Sequence, residues 1–281
     1  MKIVLFGLTG FGNAALTALL NLGWKPQLVV TRKDTFSYPY YPEIDLVGYA
    51  HDHGIPVAFG SGGETIVKNL CPDVILVASY HRILPADVLA SAKVAVNIHP
   101  SLLPAYRGAS PCYWVLRNGE PTSGVTAHFL TPEIDAGDIL YQQRLTLDEA
   151  ETQGSLRKKI SAMAGTAAVQ ILQEFQSGSL TPRPQNPTLG SFFPRIGEKD
   201  WEINLSWTAA EIARHIRALS PWPKARLGGR VVNGFRVLEG LNVNRADICK
   251  VISTSRNYCE VLVGDSRVGI EVSEGNEGDV E

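Results

Sequence analysis

Two hydrophobic rhythms alternate along the first half of the chain. Ile3-Val4-Leu5-Phe6 is a short β-prone run ending in Gly7, and Phe11 to Leu20 then places apolar residues at helical spacing with Gly23 as a stop, which predicts strand, tight turn, helix. The unit recurs: a strand over Gln27 to Thr31, a helix over Ile44 to His53, a short strand at Val57, a helix over Glu64 to Leu70, and an apolar run from Val74 to Ser79 of the kind buried on both faces of a parallel sheet. Strands alternating with helices imply right-handed crossovers. The expected fold class is therefore α/β, a Rossmann-like, mostly parallel sheet with helices on both faces.

The pattern continues with a short helix at Ala86 to Leu89, a strand at Val94 to Ile98, a helix at Pro111 to Asn118, and two paired strands at Val125 to Leu130 and Ile139 to Leu145. A long helix follows, about Gln153 to Gln176, closed by Ser177-Gly178-Ser179. Thr181 to Thr188 holds three prolines and predicts an extended connector. Beyond it lie a helix over Thr208 to Leu219, stopped by Pro221-Trp-Pro223, and short β-prone runs from Arg230 to Val272 that fit a small β-rich, partial barrel. The expected domains are a catalytic one over 1–180, a linker over 181–200 and a small C-terminal one over 201–281.

Composition changes little in this picture. With 44% apolar and 19% charged residues over 281 positions, the chain can build a sizeable core, and a formal net charge of -2 advertises neither a nucleic-acid nor a membrane-surface partner. Its four cysteines, Cys71, Cys112, Cys249 and Cys259, form no C-x-x-C pair, and the first residues read as a strand, so a reducing cytoplasm and free thiols are expected. Apolar runs fall well short of the roughly 20 residues of a membrane span.

Three segments carry candidate chemistry. Gly7-Leu-Thr-Gly10-Phe-Gly12 opens a helix after a strand, a place where backbone amides cradle polar groups, but its G-x-x-G-x-G spacing is not the dinucleotide fingerprint and Thr31-Arg-Lys33 replaces the expected ribose-binding acid. A tight turn explains it equally well. Asn97-Ile-His99 ends a buried strand and enters a Pro- and Gly-rich loop, and alternation puts the amide and the imidazole on one face. Glu133-Ile-Asp135-Ala-Gly137-Asp138 joins two strong strands, where one carboxylate can orient and charge-stabilise the imidazole. Spacing alone does not choose between Asp135 and Asp138. No Ser, Cys or Lys beside these groups stands out as a covalent nucleophile, which points to direct transfer onto an external one.

Asn97-x-His99-x-Ser101-Leu-Leu-Pro104, Arg107-Gly108, Gly124-Val-Thr126 and Asp135-x-Gly137-Asp138, in this order, resemble the formyltransferase family that includes glycinamide ribonucleotide, methionyl-tRNA and sugar N-formyltransferases. The resemblance runs loosely from Met1 to about Leu180, and Trp201 to Ala225 is similar to the following segment of two-domain members. It implies N10-formyltetrahydrofolate as donor, no metal, and Asn97, His99 and Asp135 as the catalytic set. It also implies a pterin pocket built from Ser79, Tyr80, Arg82, Ile83 and Leu84 together with Leu130 and Asp138.

The acceptor side is expected to draw on Gly7, Gly10, Tyr40, Tyr106, Arg107, Ser110 and Trp222. The loop Thr31 to Asp45 is aromatic and mixed in charge, lacking the clustered Lys and Arg that phosphate backbones favour. Tyr38, Tyr40, Tyr41 and Trp222 suit stacking on a sugar or base, or simple packing. A nucleotide-linked amino sugar is the preferred acceptor and initiator methionyl-tRNA the alternative, with nucleic acid disfavoured as a partner. The β-rich tail offers a homodimer interface as readily as an acceptor site.

Overall fold

The structure, a computed structural model, describes residues 1–33, 45–240 and 251–274. Tyr38, Tyr40, Tyr41 and Cys249 lie outside the described residues.

Four βα units and a fifth strand build the first part of a mixed sheet. β1 (Ile3–Gly7), α1 (Phe11–Asn21), β2 (Leu28–Thr31), α2 (Leu46–Asp52), β3 (Val57–Phe59), α3 (Gly60–Leu70), β4 (Val74–Ala78), α4 (Ala86–Leu89) and β5 (Val94–His99) follow one another in the expected alternation. All residues of β1, β2 and β4 are buried, as strands covered on both faces must be. Val4, Phe6, Val30, Ile75 and Val77 form one face of the core with Val67 of α3 and Val88 of α4.

After β5 come a two-residue β6 (Arg107–Gly108), α5 (Pro111–Asn118), β7 (Thr122–Phe129), β8 (Ile139–Thr146) and the 25-residue α6 (Gln153–Ser177). The seven-stranded sheet runs β3-β2-β1-β4-β5-β7-β8. Its first five strands are parallel, while β7 pairs antiparallel with β5 and with β8. Helices cover both sides. Two glycines of the first turn are explained by packing: a Cβ on Gly7 would meet the Gly12 Cα at 2.9 Å, and one on Gly12 the Leu46 side chain at 2.6 Å.

The chain divides into two compact units, the first comprising 1–111, 122–147 and 156–194, the second 112–121, 148–155 and 195–281. The Pro-rich connector thus belongs to the first unit, where its β9 (Phe192–Phe193) pairs in parallel with β6. The second unit contains α7 (Ala209–Ala218) and a five-stranded antiparallel sheet, β10 (Arg226–Leu227), β11 (Arg230–Gly240), β12 (Val251–Ser255), β13 (Tyr258–Leu262) and β14 (Ser266–Ser273), ordered β10-β11-β14-β13-β12. Thr208 caps α7 and Glu211 completes the capping box. Inside this unit His215 is fully buried between the Tyr113 hydroxyl, 3.3 Å from Nδ1, and the Trp201 carbonyl, 3.2 Å from Nε2.

Among the described residues, Cys71, Cys112 and Cys259 are in no disulfide, and no helix is long and apolar enough to cross a membrane.

Candidate active site

Strand alternation sets the site. In β5 the side chains of Asn97 and His99 share a face, and the antiparallel partner β7 places His128 opposite Asn97 and Thr126 opposite His99. Pairing with β7 therefore brings a second imidazole into the site, which sequence reasoning missed because nothing local announces which strand lies beside β5.

Asp135 reaches all of these groups from the β7–β8 connection. Its Oδ2 accepts from the Gly108 N–H at 2.8 Å and lies 3.5 Å from His99 Nδ1; its Oδ1 accepts from Asn97 Nδ2 at 3.3 Å and lies 3.4 Å from His128 Nε2. Asn97 Nδ2 also donates to His128 Nε2 at 3.1 Å, consistent with a His128 ring whose Nδ1–H is given to the Phe129 carbonyl at 2.8 Å. Burial pushes the Asp135 carboxyl up, but the imidazoles and the Gly108 N–H outweigh it and hold the group well below the usual carboxylate range. Burial dominates at His99 and lowers its pKa, against the opposing pull of Asp135 and of its bond to Tyr106. Asp135 is thus the fixed anion of the site and His99 a neutral imidazole at pH 7. The structure resolves the choice that spacing left open: the carboxylate beside the imidazole is that of Asp135.

His99 Nε2 faces the Tyr106 carbonyl at 2.9 Å and must carry the ring proton there. Orientation of the imidazole is therefore set by a backbone oxygen, while Asp135 supplies charge at the open Nδ1.

The loop after β5 is pinned by its motif residues. Thr126 Oγ1 donates to the Ser101 carbonyl at 2.7 Å and accepts from the Leu103 N–H at 3.1 Å, and Gln142 bonds both Thr126 and the Leu103 carbonyl. Ser101 is fully buried with its hydroxyl given to the Ala105 carbonyl at 2.8 Å, so neither it nor Thr126 is placed as a nucleophile. Gly124 and Gly137 are close-contact glycines, since a Cβ at either would overlap a carbonyl, that of Gln143 or of Phe129.

Backbone strain gathers here. Six non-glycine residues among those described have positive φ, and four of them, Ser79 at 61°, Tyr106 at 61°, Ser110 at 63° and Asp135 at 51°, are residues already singled out from the sequence. Such conformations cost about 1–3 kcal/mol each and concentrate at functional sites.

Other expected site residues have structural duties. Arg107 holds the neighbouring turn, donating to the Ile134 carbonyl at 2.6 and 2.9 Å and pairing with Glu133 at 2.8 Å. Tyr80, Leu84 and Leu130 pack against the core cluster of the sheet. Arg82 Nε bonds the buried Glu64 carboxylate at 2.8 Å, and Ile83, 72% exposed, projects from the same loop. Burial and the Glu64 charge push the Tyr80 hydroxyl up to about 12. Gly10 adopts φ 96° and gives its N–H to Asn13 Oδ1 at 3.0 Å. Asp138 is half-buried and its carbonyl accepts from Phe129 N–H at 3.0 Å. Trp222 lies in the second unit, its carbonyl accepting from Gln153 at 3.0 Å, and Tyr40 is outside the described residues. No group of three His, Cys, Asp or Glu among the described residues is arranged to hold a metal.

An amide donor, a neutral imidazole and an ionised carboxylate, with no covalent nucleophile placed beside them among the described residues, are groups that can serve transfer by direct attack on a carbonyl. Comparison with known proteins specifies the group. Residues 61–172 match the model for formyl transferases and residues 195–278 the model for the formyl transferase C-terminal domain. The methionyl-tRNA formyltransferase of Pelotomaculum thermopropionicum is 32% identical over 96% of this chain and 90% of its own length, and that of Lactobacillus johnsonii is 35% identical over 82% and 76%. Among solved structures, the N-formyltransferase from Helicobacter canadensis, in complex with folinic acid and dTDP-3-aminofucose, is similar with a TM-score of 0.76 at 20% identity, covering 97% of this chain and 99% of that one. The sugar 3N-formyltransferase WlaRD gives a TM-score of 0.74 at 19% identity, covering 98% and 99%. The chain belongs to the formyltransferase family and is an enzyme of that class.

Proposed function

We propose that this enzyme moves a formyl group from N10-formyltetrahydrofolate to the amino group of a nucleotide-linked amino sugar, with Asn97, His99 and Asp135 as its catalytic residues. The observation that carries the chemistry is the Asp135 carboxylate, bonded through one oxygen to Asn97 and lying through the other beside His99. The amine attacks the formyl carbon and an oxyanion develops. Asn97 exchanges its long bond to Asp135 for one to that oxygen. The amine's proton passes, directly or through one water, to His99 Nδ1, where the imidazolium forms beside a carboxylate already ionised. The tetrahedral intermediate collapses with cleavage of its bond to the folate N10, which leaves taking the proton from the His99 imidazolium and returns the ring to neutral. The pterin lies against the 79–85 loop and the 130–138 connection, chiefly on backbone groups; 1–180 acts as the catalytic domain and 201–281 as the second one.

For the acceptor, the sugar reading is supported by charge. Acidic and basic residues nearly balance across 195–274, and the 31–45 loop adds only Arg32 and Lys33, which is poor ground for a tRNA backbone. Methionyl-tRNA is the second reading, favoured by the identity to the relatives of that name. Formyl transfer assayed on a panel of nucleotide amino sugars and on methionyl-tRNA, at 50 and 200 mM salt, tests both. A tRNA substrate loses about 10³-fold or more in affinity over that range and a small nucleotide sugar far less. Transfer to tRNA alone overturns the sugar reading.

A further inference from the structure

The segment after α6 looks in sequence like a spacer, yet it returns to the site and bonds both residues whose strained backbones set the catalytic groups. Arg183 exchanges two backbone bonds with Ile139, each 2.8 Å, which fixes the segment beside the start of β8. Two residues on, Gln185 Nε2 donates one hydrogen to the Asp135 carbonyl at 2.9 Å and the other to the Gly137 carbonyl at 2.7 Å. The reversed amide would set its oxygen against two carbonyl oxygens, so the assignment is fixed. Farther along, Ser191 Oγ accepts from the Tyr106 N–H at 2.9 Å and the Ser191 carbonyl from the Arg107 N–H at 2.8 Å, while Phe193 stacks on Tyr106 with centroids 5.0 Å apart.

We propose that Gln185 is a positioning residue for formyl transfer, its amide clamping the left-handed turn that aims the Asp135 carboxylate at Asn97 and His99. This rests on the functional reading above. Asp135 at φ 51° has no glycine's freedom, and its carboxylate serves four partners within 2.8–3.5 Å, so a small rotation of the turn breaks the set. The clamp also neutralises two carbonyl dipoles that the turn presents together. Ser191 Oγ instead accepts the N–H of Tyr106, whose carbonyl holds His99 Nε2, so the connector grips both supports of the imidazole.

Gln185→Met keeps the bulk and removes the donors; Gln185→Glu keeps the shape and opposes the two carbonyls with a carboxylate. Both variants are expected to lower kcat by about 10- to 100-fold, as misplacement on the ångström scale does. KM for donor and acceptor should stay within about twofold. The His99 imidazole, followed by NMR titration in the free protein, should titrate at a shifted pH, since Asp135 and His128 are the charged or titratable groups facing it. A kcat retained within about threefold in both variants, or an unchanged His99 titration, overturns the proposal, as does a loss confined to KM. Absence of transfer to any amine by the unsubstituted enzyme would sink the functional reading instead, and the NMR titration would still decide the role of Gln185.

Discussion

The Nε2 of His99 donates to the carbonyl of Tyr106 at 2.9 Å, and this one bond dictates which nitrogen of the ring can accept a proton. With Nε2 committed, Nδ1 is the nitrogen left to accept a proton, and it faces Asp135. The consequences for pH, substitution and stability can each be measured.

Because burial lowers the His99 pKa, the imidazole stays neutral to lower pH than an ordinary histidine does. Activity that needs a neutral base is present above the folded-state pKa and disappears as pH falls through it. The acid limb of kcat/KM is therefore expected below the ordinary value of 6.5. A profile recorded from pH 4.5 to 9 with an acid limb above 7 would contradict the role given to His99.

Asn97→Ala removes the proposed oxyanion donor together with its 3.3 Å hydrogen bond to Asp135 Oδ1. Such a loss lowers kcat by about 10² to 10³-fold, and His99→Ala by about 10² to 10⁴-fold. Steady-state assays with near-normal turnover in either variant would remove it from the catalytic set.

At Gly137 the constraint is steric. An added Cβ would run into the Phe129 carbonyl, which is part of the β7 backbone and cannot swing aside. Gly137→Ala should destabilise the fold by about 1–3 kcal/mol and also depress kcat, since the turn carrying Asp135 must shift. Unchanged thermal unfolding would show that the turn is softer than its contacts imply.

In the second unit, burial pushes His215 down to about 4 from an ordinary 6.5, the Trp201 carbonyl opposing that fall and Arg117 adding to it. The unfolded chain binds this proton first as pH drops, so the stability held by neutral His215 is full above about 6.5 and is lost progressively towards pH 4. The apparent Tm of His215→Phe should fall less steeply between pH 6.5 and 4 than that of the parent. Parallel curves would place the acid sensitivity elsewhere.

Much of this architecture is legible in one sequence because its signals are local. Strand and helix periods are set by how successive side chains point, so β1 through β5 and the long α6 emerge close to their observed limits. Asn97 and His99 are likewise readable, because alternation along a single strand decides that they share a face. The pairing of β7 with β8 is legible in the sequence, whereas the place of β7 antiparallel beside β5 is not, and with that placement comes His128.

What only the tertiary structure decided rests on contacts between residues far apart in the chain. Asp135 is preferred to Asp138 because a left-handed turn, gripped by Gln185 fifty positions away, points its carboxylate at both imidazoles. A proline-rich stretch looks like a spacer because prolines forbid helix, yet its backbone and side-chain hydrogen bonds found partners at Ile139, Asp135 and Tyr106. Periodicity records which way a side chain points; the partner it meets is fixed only when distant segments close around it.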